Sequence, residues 1–306
     1  MTQSVWDKPG NAPGKALRGN AICVAAVALF ATGFPAAEEL LKTWGPISLI
    51  TARLVLACAL LLLMWIIADG WRRVVAAPLL RGLIIGATGF GAGAILMLVA
   101  QDLTDPVTAV LTAATMPVTA VALEVLFDGR RLTRNFVIGT CLVLLGGYLA
   151  TGVDLRQVTY GGGILLGLLA TAQFAWGSRK AIKGLPEMSA LGQCTITLCG
   201  AMLFAIATLA VFEMFGWSGT DIAPLGPWGW SMLLLYSLVA MAISQAFWIL
   251  GVSHLGIGIA SFHLNAAPFY VMLILLALGE VWDWNRALGA AILAVGVVLA
   301  QQRRAA

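Results

Sequence analysis

Long apolar segments recur along almost the whole chain, and short polar connectors separate them. A helix that crosses the hydrocarbon core of a bilayer needs ~20 mostly apolar residues, because its backbone polar groups must be satisfied within the segment. The pattern therefore predicts an all-α integral membrane protein with ten transmembrane helices. We place these helices at residues 17–40, 46–67, 80–101, 106–127, 135–153, 161–182, 188–214, 228–250, 257–279 and 285–302.

The second half of this pattern repeats the first. Glycines of the fifth and tenth segments match at an offset of 150 residues: Gly139 with Gly289, and Gly146 with Gly296. Two further stretches match in the same order: residues 30–33 with 174–177, and residues 109–117 with 260–268.

An odd number of helices in each half gives the second copy the opposite orientation in the membrane. The sequence therefore predicts two inverted five-helix repeats, residues 17–153 and 161–302, after an N-terminal tail of residues 1–16. Inverted repeats suit alternating access, because exchanging the conformations of the two halves turns an inward opening into an outward one.

Composition and charge fit this class of protein. The chain is 60% hydrophobic and 10% charged, whereas soluble domains carry roughly 25% charged residues. Most lysines and arginines lie in the connectors of one side, and only Lys42, Arg156 and Arg286 fall on the other. Because cytoplasmic loops carry an excess of Lys and Arg, we predict that both termini are cytoplasmic.

Catalytic and metal-binding patterns do not occur in the sequence. It contains neither G-x-S-x-G nor H-E-x-x-H, and no carboxylates are paired deep within the predicted helices. The five cysteines lie within predicted helices, without the paired Cys/His spacing of zinc sites. The short connectors leave no soluble domain for a nucleotide. We expect no enzyme activity, metal, cofactor or nucleic-acid partner.

Hydroxyl groups form a stripe on the fourth predicted helix. The spacing i, i+4, i+7, i+11 places four threonines on one face: Thr108, Thr112, Thr115 and Thr119. The repeat carries this stripe to the ninth helix at Ile259, His263, Ala266 and Tyr270. Two interpretations fit: the two stripes line a substrate cavity, or the hydroxyls bond the backbone of their own helix, which is common in membranes.

Other polar and aromatic side chains fall at similar depth. His263 lies near mid-membrane, where ionisable groups suggest a functional site, and Asn265 and Gln245 add amide groups. The indoles of Trp176 and Trp248 can stack a flat apolar ligand or attract an ammonium group. For the histidine and both tryptophans, a packing role is the alternative.

A charged pair and three prolines are candidates for structural or gating roles. Arg53 lies within the second helix, and Glu38 and Glu39 lie near the outer end of the first. The sequence favours an ion pair between them; the alternative is that Arg53 attracts a substrate carboxylate. Prolines within the first, fourth and ninth helices predict bends, at Pro35, Pro117 and Pro268.

Several motifs resemble the drug/metabolite transporter superfamily, in particular its ten-helix EamA-type exporters. They are Arg53 after Pro46, the Ala-Ala-Pro-Phe run at residues 266–269, the Leu-Gly-Glu run at 278–280, and the Gly289/Gly296 helix. In the first half, Asp128-Gly129-Arg130 replaces the Gly-Glu pair. A role of Glu280 in the second half therefore cannot be assumed for the first half as well. Within the superfamily, the chain is most similar to bacterial aromatic amino-acid exporters.

The resemblance implies a secondary transporter in the bacterial cytoplasmic membrane that exports aromatic and other neutral amino acids and functions as a monomer. It implies a cavity formed by the first, third, fourth, sixth, eighth and ninth helices. One alternative is an exporter of other amphipathic metabolites or drugs, in exchange for protons through Glu280 or His263. A more remote alternative is a non-transporting membrane sensor or scaffold.

Overall fold

The structure is a computed structural model that describes residues 13–128, 133–151, 158–255, 260 and 263–301. Within these residues the regular elements are helices. They are α1 (Pro13–Ala31), α2 (Gly33–Leu41), α3 (Pro46–Asp69), α4 (Trp71–Ala76), α5 (Leu79–Ile85), α6 (Ala92–Asp102), α7 (Pro106–Ala114), α8 (Met116–Asp128), α9 (Arg134–Thr151), α10 (Val158–Gly184), α11 (Ala190–Phe215), α12 (Pro227–Leu234), α13 (Ser244–Leu255), α14 (Ala267–Ala277) and α15 (Trp284–Gln301).

Helices cover most of the described residues of the predicted transmembrane segments, but residues 188–189 and 278–279 lie outside them. By length and composition, six stretches could cross a membrane: Ala16–Leu41, Pro46–Asp69, Leu79–Asp102, Pro106–Phe127, Ala190–Phe215 and Pro227–Leu255. Three shorter apolar helices, at Arg134–Ala150, Ala267–Ala277 and Trp284–Ala300, overlap the fifth, ninth and tenth segments, and α10, on the sixth, is in neither group. Most of the N-terminal tail, and residue 259 of the predicted stripe, lie outside the described residues.

The fourth and ninth segments break at matching positions. Thr115 separates α7 from α8, and Pro117 is the second residue of α8. In the ninth segment a turn at Asn265 and Ala266 precedes α14, whose second residue is Pro268. Proline lacks a backbone N–H and clashes with the preceding turn, so each helix restarts where that missing donor costs little.

The first segment also breaks before a proline. Thr32 separates α1 from α2, and Pro35 follows in the first turn of α2. The matching stretch of the second half, residues 174–177, lies in the middle of α10, which continues without interruption to Gly184. No proline stands at this point of α10, so the two halves differ here.

The third and eighth segments each contain a π-helical stretch. Gly86–Gly91 joins α5 to α6, and Leu235–Ile243 joins α12 to α13. These stretches also correspond by the repeat offset, and both make close contacts with the first segment of the other half. A Cβ built on Gly89 would lie 2.5 Å from Gly177 Cα, and one built on Gly33 would lie 3.0 Å from Ala240 Cβ.

The last helices of the two halves, α9 and α15, pack together along their glycines. Gly139 faces the backbone of Gly296, and Gly146 faces the backbone of Gly289. A Cβ built on Gly146 would lie 2.4 Å from Leu293 N and 2.6 Å from Gly289 O. The glycines that mark the repeat in the sequence are therefore those that allow the two backbones to approach.

A second contact between the halves lies at one end of the bundle. Gly45 N–H donates to Asp221 O at 2.8 Å, and Ile47 N–H donates to Gly219 O at 2.9 Å. The indole of Trp44 donates to Ala223 O at 2.7 Å. The connector after α2 is thus held against the connector after α11.

Candidate functional site

An apolar cluster lies where α1, α2, α7, α9, α14 and α15 meet. Its buried members include Val27, Phe34, Val107 and Val271, and Trp248 and Tyr270 pack against it as half-buried side chains. Phe30 also packs here, with its ring centroid 5.4 Å from that of Phe34 in an edge-to-face arrangement. The structure therefore brings Trp248 and Tyr270, two of the predicted site residues, to one cluster.

Asn265 is a buried amide at the break before α14. It is 7% exposed, and neither Oδ1 nor Nδ2 has a hydrogen-bond partner in the described part of the chain. Its neighbours Leu264 and Ala267 both pack into the apolar cluster. A buried amide without partners is costly, so such a group in a folded protein calls for an explanation, for example a ligand.

His263 has a different environment. It is half-buried, and its Nδ1 lies 3.3 Å from Ala260 O of the preceding turn. One ring nitrogen is therefore directed at the chain's own backbone. This contact favours the packing alternative for His263.

The threonine stripe does not supply free hydroxyl donors. Thr112 Oγ1 donates to Ala109 O at 2.7 Å, Thr115 Oγ1 to Thr112 O at 2.7 Å, and Thr119 Oγ1 to Met116 O at 2.8 Å. Thr112 also packs on α10, where a Cβ built on Gly167 would lie 2.5 Å from its Oγ1. For Thr112 and Thr115, these bonds favour the second interpretation, in which the hydroxyls bond the backbone of their own helix.

Gln245 and Trp176 lie apart from the apolar cluster. Gln245 is half-buried on α13, close to the thiol of Cys194 on α11. Trp176 is half-buried on α10, with Lys180 Nζ 5.5 Å from its ring centroid. In the structure, the two predicted indoles therefore belong to different surroundings, and only Trp248 packs against the apolar cluster.

Arg53 does not form the predicted ion pair. Its guanidinium lies over the ring of Tyr236, with Cζ 3.9 Å from the centroid. Glu39 pairs instead with Lys42, at 2.5 Å, and no ion pair of the described residues joins Arg53 to Glu38. Glu38 is exposed, near enough to Asp105 and Glu280 for their charges to repel it.

Sequence reasoning missed a polar network close to Glu38, which we call the outer network because the predicted topology places it on the extracellular side: Asp105, Thr108, Tyr160 and Arg286. Arg286 Nη1 donates to Asp105 Oδ1 at 2.8 Å, and Tyr160 Oη donates to Asp105 Oδ2 at 2.7 Å. Asp105 also caps α7 by accepting from the N–H groups of Val107 and Thr108. The network joins the start of α7, in the first half, to the starts of α10 and α15.

The outer network stabilises the ionised form of Asp105. Burial alone would raise the pKa of the Asp105 carboxyl, but the Tyr160 hydrogen bond and the Arg286 charge lower it below its ordinary value. An Asp directly before a Pro at the first helical position is a recognisable N-cap signal. The partners Tyr160 and Arg286 carry no such local signal.

One comparison with known proteins concerns the first half of the chain. Residues 17–152 match the EamA-like transporter family. This match lies within the first predicted repeat, so it is that part of the chain that is similar to a family of membrane transporters.

Two further comparisons concern the whole chain. A crystal structure of a protein with 18% sequence identity is similar over 93% of this chain and 96% of that chain, with a TM-score of 0.67. At this identity the likeness concerns the fold alone. No curated protein matches the sequence.

Proposed function

We propose that the chain is a secondary transporter that exports neutral amino acids, aromatic ones among them, across the bacterial cytoplasmic membrane. The observation that carries this proposal is the unpaired amide of Asn265 at a helix break, beside an apolar cluster that includes Trp248 and Tyr270. An amphipathic ligand needs both features: polar groups that fix its orientation and an apolar surface for its side chain.

Alternating access would be carried out by two inverted five-helix halves. Three matched features support this arrangement: the breaks at Thr115 and Ala266, the two π-helical stretches, and the reciprocal glycine contacts of α9 and α15. Interrupted helices at the interface of inverted repeats are the usual position of transporter binding sites. With both termini cytoplasmic, the outer network closes the extracellular end in this conformation.

Efflux from proteoliposomes tests the transport function directly. We expect preloaded radiolabelled tryptophan and phenylalanine to leave vesicles that contain the purified protein faster than protein-free vesicles, and threonine and methionine to follow more slowly. The measurement is made with and without a pH gradient. Efflux of none of the four would overturn the amino-acid assignment and favour an exporter of other metabolites, and efflux only with the gradient would show that amino-acid export is coupled to protons.

Replacing Asn265 by leucine separates binding from folding. Asn265→Leu removes two unpaired polar atoms at similar volume, so we expect the free protein to gain roughly 1 kcal/mol of stability, seen as a higher melting temperature in detergent. The same variant should lose most of its amino-acid efflux, because the ligand loses an amide partner.

Thr115→Val is the matched control for Asn265→Leu, since Thr115 stands at the corresponding break and its hydroxyl proton is already bonded to Thr112 O. We expect it to keep efflux within about twofold, because an already satisfied hydroxyl adds only a modest net contribution. Wild-type efflux by Asn265→Leu would remove this residue from the binding site.

A further inference from the structure

Arg53 places a charge inside the membrane-spanning part of the protein. It is the eighth residue of α3, which begins at Pro46, so it lies ~10 Å along that helix from its start. The hydrocarbon core of a bilayer is ~30 Å thick. A guanidinium at this depth is costly, and arginines kept in such positions usually pair with an acid or mark a substrate pathway.

The described part of the chain provides no acidic partner for this guanidinium. Glu39 pairs with Lys42, and Asp105 pairs with Arg286. Arg53 Nε is buried and has no hydrogen-bond acceptor. Among the residues that the structure describes, this cation therefore has no anionic partner for its charge or for its Nε donor.

The surroundings orient the group and leave its buried Nε without a partner among the described residues. Tyr236 stacks under one face of the guanidinium at 3.9 Å, which fixes its plane. On another side lies Gly33, whose missing Cβ would stand 3.4 Å from Arg53 Nη2. Gly33 directly follows the break at Thr32, and Tyr236 belongs to a π-helical stretch, so two irregular helix segments meet at this arginine.

We propose that Arg53 is the subsite for the carboxylate of the exported molecule. The planar guanidinium presents N–H donors in a fork that matches a carboxylate in two parallel hydrogen bonds. This inference rests on the proposed transport function and specifies its substrate class: molecules with a carboxylate and an apolar side chain. Phe34, next to Gly33, belongs to the apolar cluster, so a ligand anchored at Arg53 has an apolar surface beside it.

The test compares a ligand that has a carboxylate with one that lacks it. Phenylalanine and phenylalaninamide differ in this group and share the aromatic ring and the amino group. Dissociation constants of both are measured for purified wild-type protein, Arg53→Gln, Arg53→Lys and the control Lys42→Gln, which removes an exposed cation paired with Glu39. Efflux of both compounds from proteoliposomes accompanies the binding data.

We expect wild-type protein and Lys42→Gln to bind phenylalanine at least about tenfold more tightly than the amide, because a charged bidentate pair is lost with the carboxylate. Arg53→Gln should bring the ratio close to one. Arg53→Lys keeps the charge without the fork and should give an intermediate ratio, which also answers the question if Arg53→Gln does not fold.

An unchanged ratio in the Arg53 variants would overturn the subsite. So would equal binding of the two compounds by the wild-type protein while efflux continues, an outcome that leaves the transporter proposal standing. Absence of both binding and efflux of either compound in the wild type would overturn the amino-acid function and the subsite with it.

Discussion

Gly146→Ala is expected to destabilise the protein strongly, whereas Gly147→Ala, one residue later on the same helix, is not. A Cβ on Gly146 would lie 2.4 Å from a backbone nitrogen of α15, while a Cβ on Gly147 would have nothing within 4 Å. Backbone atoms cannot move aside as a flexible side chain does, so α9 and α15 must separate. Overpacking of this kind costs roughly 1–3 kcal/mol.

The measurement is the melting temperature and the folded yield of both variants in the same detergent. The free energy of unfolding of Gly147→Ala should equal that of the wild type or exceed it by up to about 1 kcal/mol, because alanine has a higher helix propensity than glycine. Gly289→Ala, at the repeat-equivalent position of Gly139, should resemble Gly146→Ala, since its Cβ would lie 2.3 Å from Ala150 N. Equal melting temperatures for Gly146→Ala and Gly147→Ala would exclude a close α9–α15 contact.

These glycines show why much of the fold could be predicted from the sequence. Apolar length alone predicts helices, and a repeat that keeps Gly139 and Gly146 at a fixed offset indicates a repeated backbone approach. Prolines predict breaks because they lack a donor at a known position, and the breaks before Pro117 and Pro268 agree. The two π-helical stretches carry no comparable signal, since a single extra residue in a helical turn does not change the apolar pattern.

The candidate site was less predictable, because it depends on which faces of distant helices meet. The stripe spacing predicts that Thr112 and Thr115 share one face, but it does not decide the partners of their hydroxyls, which bond carbonyls three residues earlier. Proximity in a predicted hairpin suggested that Arg53 pairs with Glu38; Arg53 instead stacks on Tyr236, which is far away in sequence. Asn265 was singled out from the sequence, but its lack of partners is visible only in the structure.

With the proposed transport function and orientation, Asp105→Asn is expected to open the extracellular end of the protein. Asparagine keeps an oxygen that can cap α7, so the start of that helix is preserved, but the charged contact with Arg286 is lost. Hydrogen bonds to charged groups contribute roughly 1.5–3 kcal/mol, and partial exposure of Arg286, at 31%, reduces this. A shift of about tenfold towards the outward-open state corresponds to about 1.4 kcal/mol.

Maleimide labelling from outside measures that shift. The reporter is Ala109→Cys, on the buried face of α7 one turn inside the network, in protein whose five native cysteines are replaced by alanine. Asp105→Asn should label about tenfold faster than the parent, as the energy above implies. Asp102→Asn, a change at an exposed carboxylate near the same end, should label at the parent rate. Equal rates for both variants would show that the outer network does not hold this end closed.

The same reporter gives the pH dependence of closure. The pKa of Asp105 is lowered by Tyr160 and Arg286 against the effect of burial. A lowered pKa means that the contact is fully present above the ordinary value of ~3.9 and is lost only as the pH falls through the lowered one. Labelling of the parent protein should therefore be constant between pH 8 and pH 5, after correction for the thiol's own reactivity. Faster labelling towards pH 5 would assign closure to another group, and the nearby carboxylates Glu38 and Glu280 would be the first to replace with glutamine.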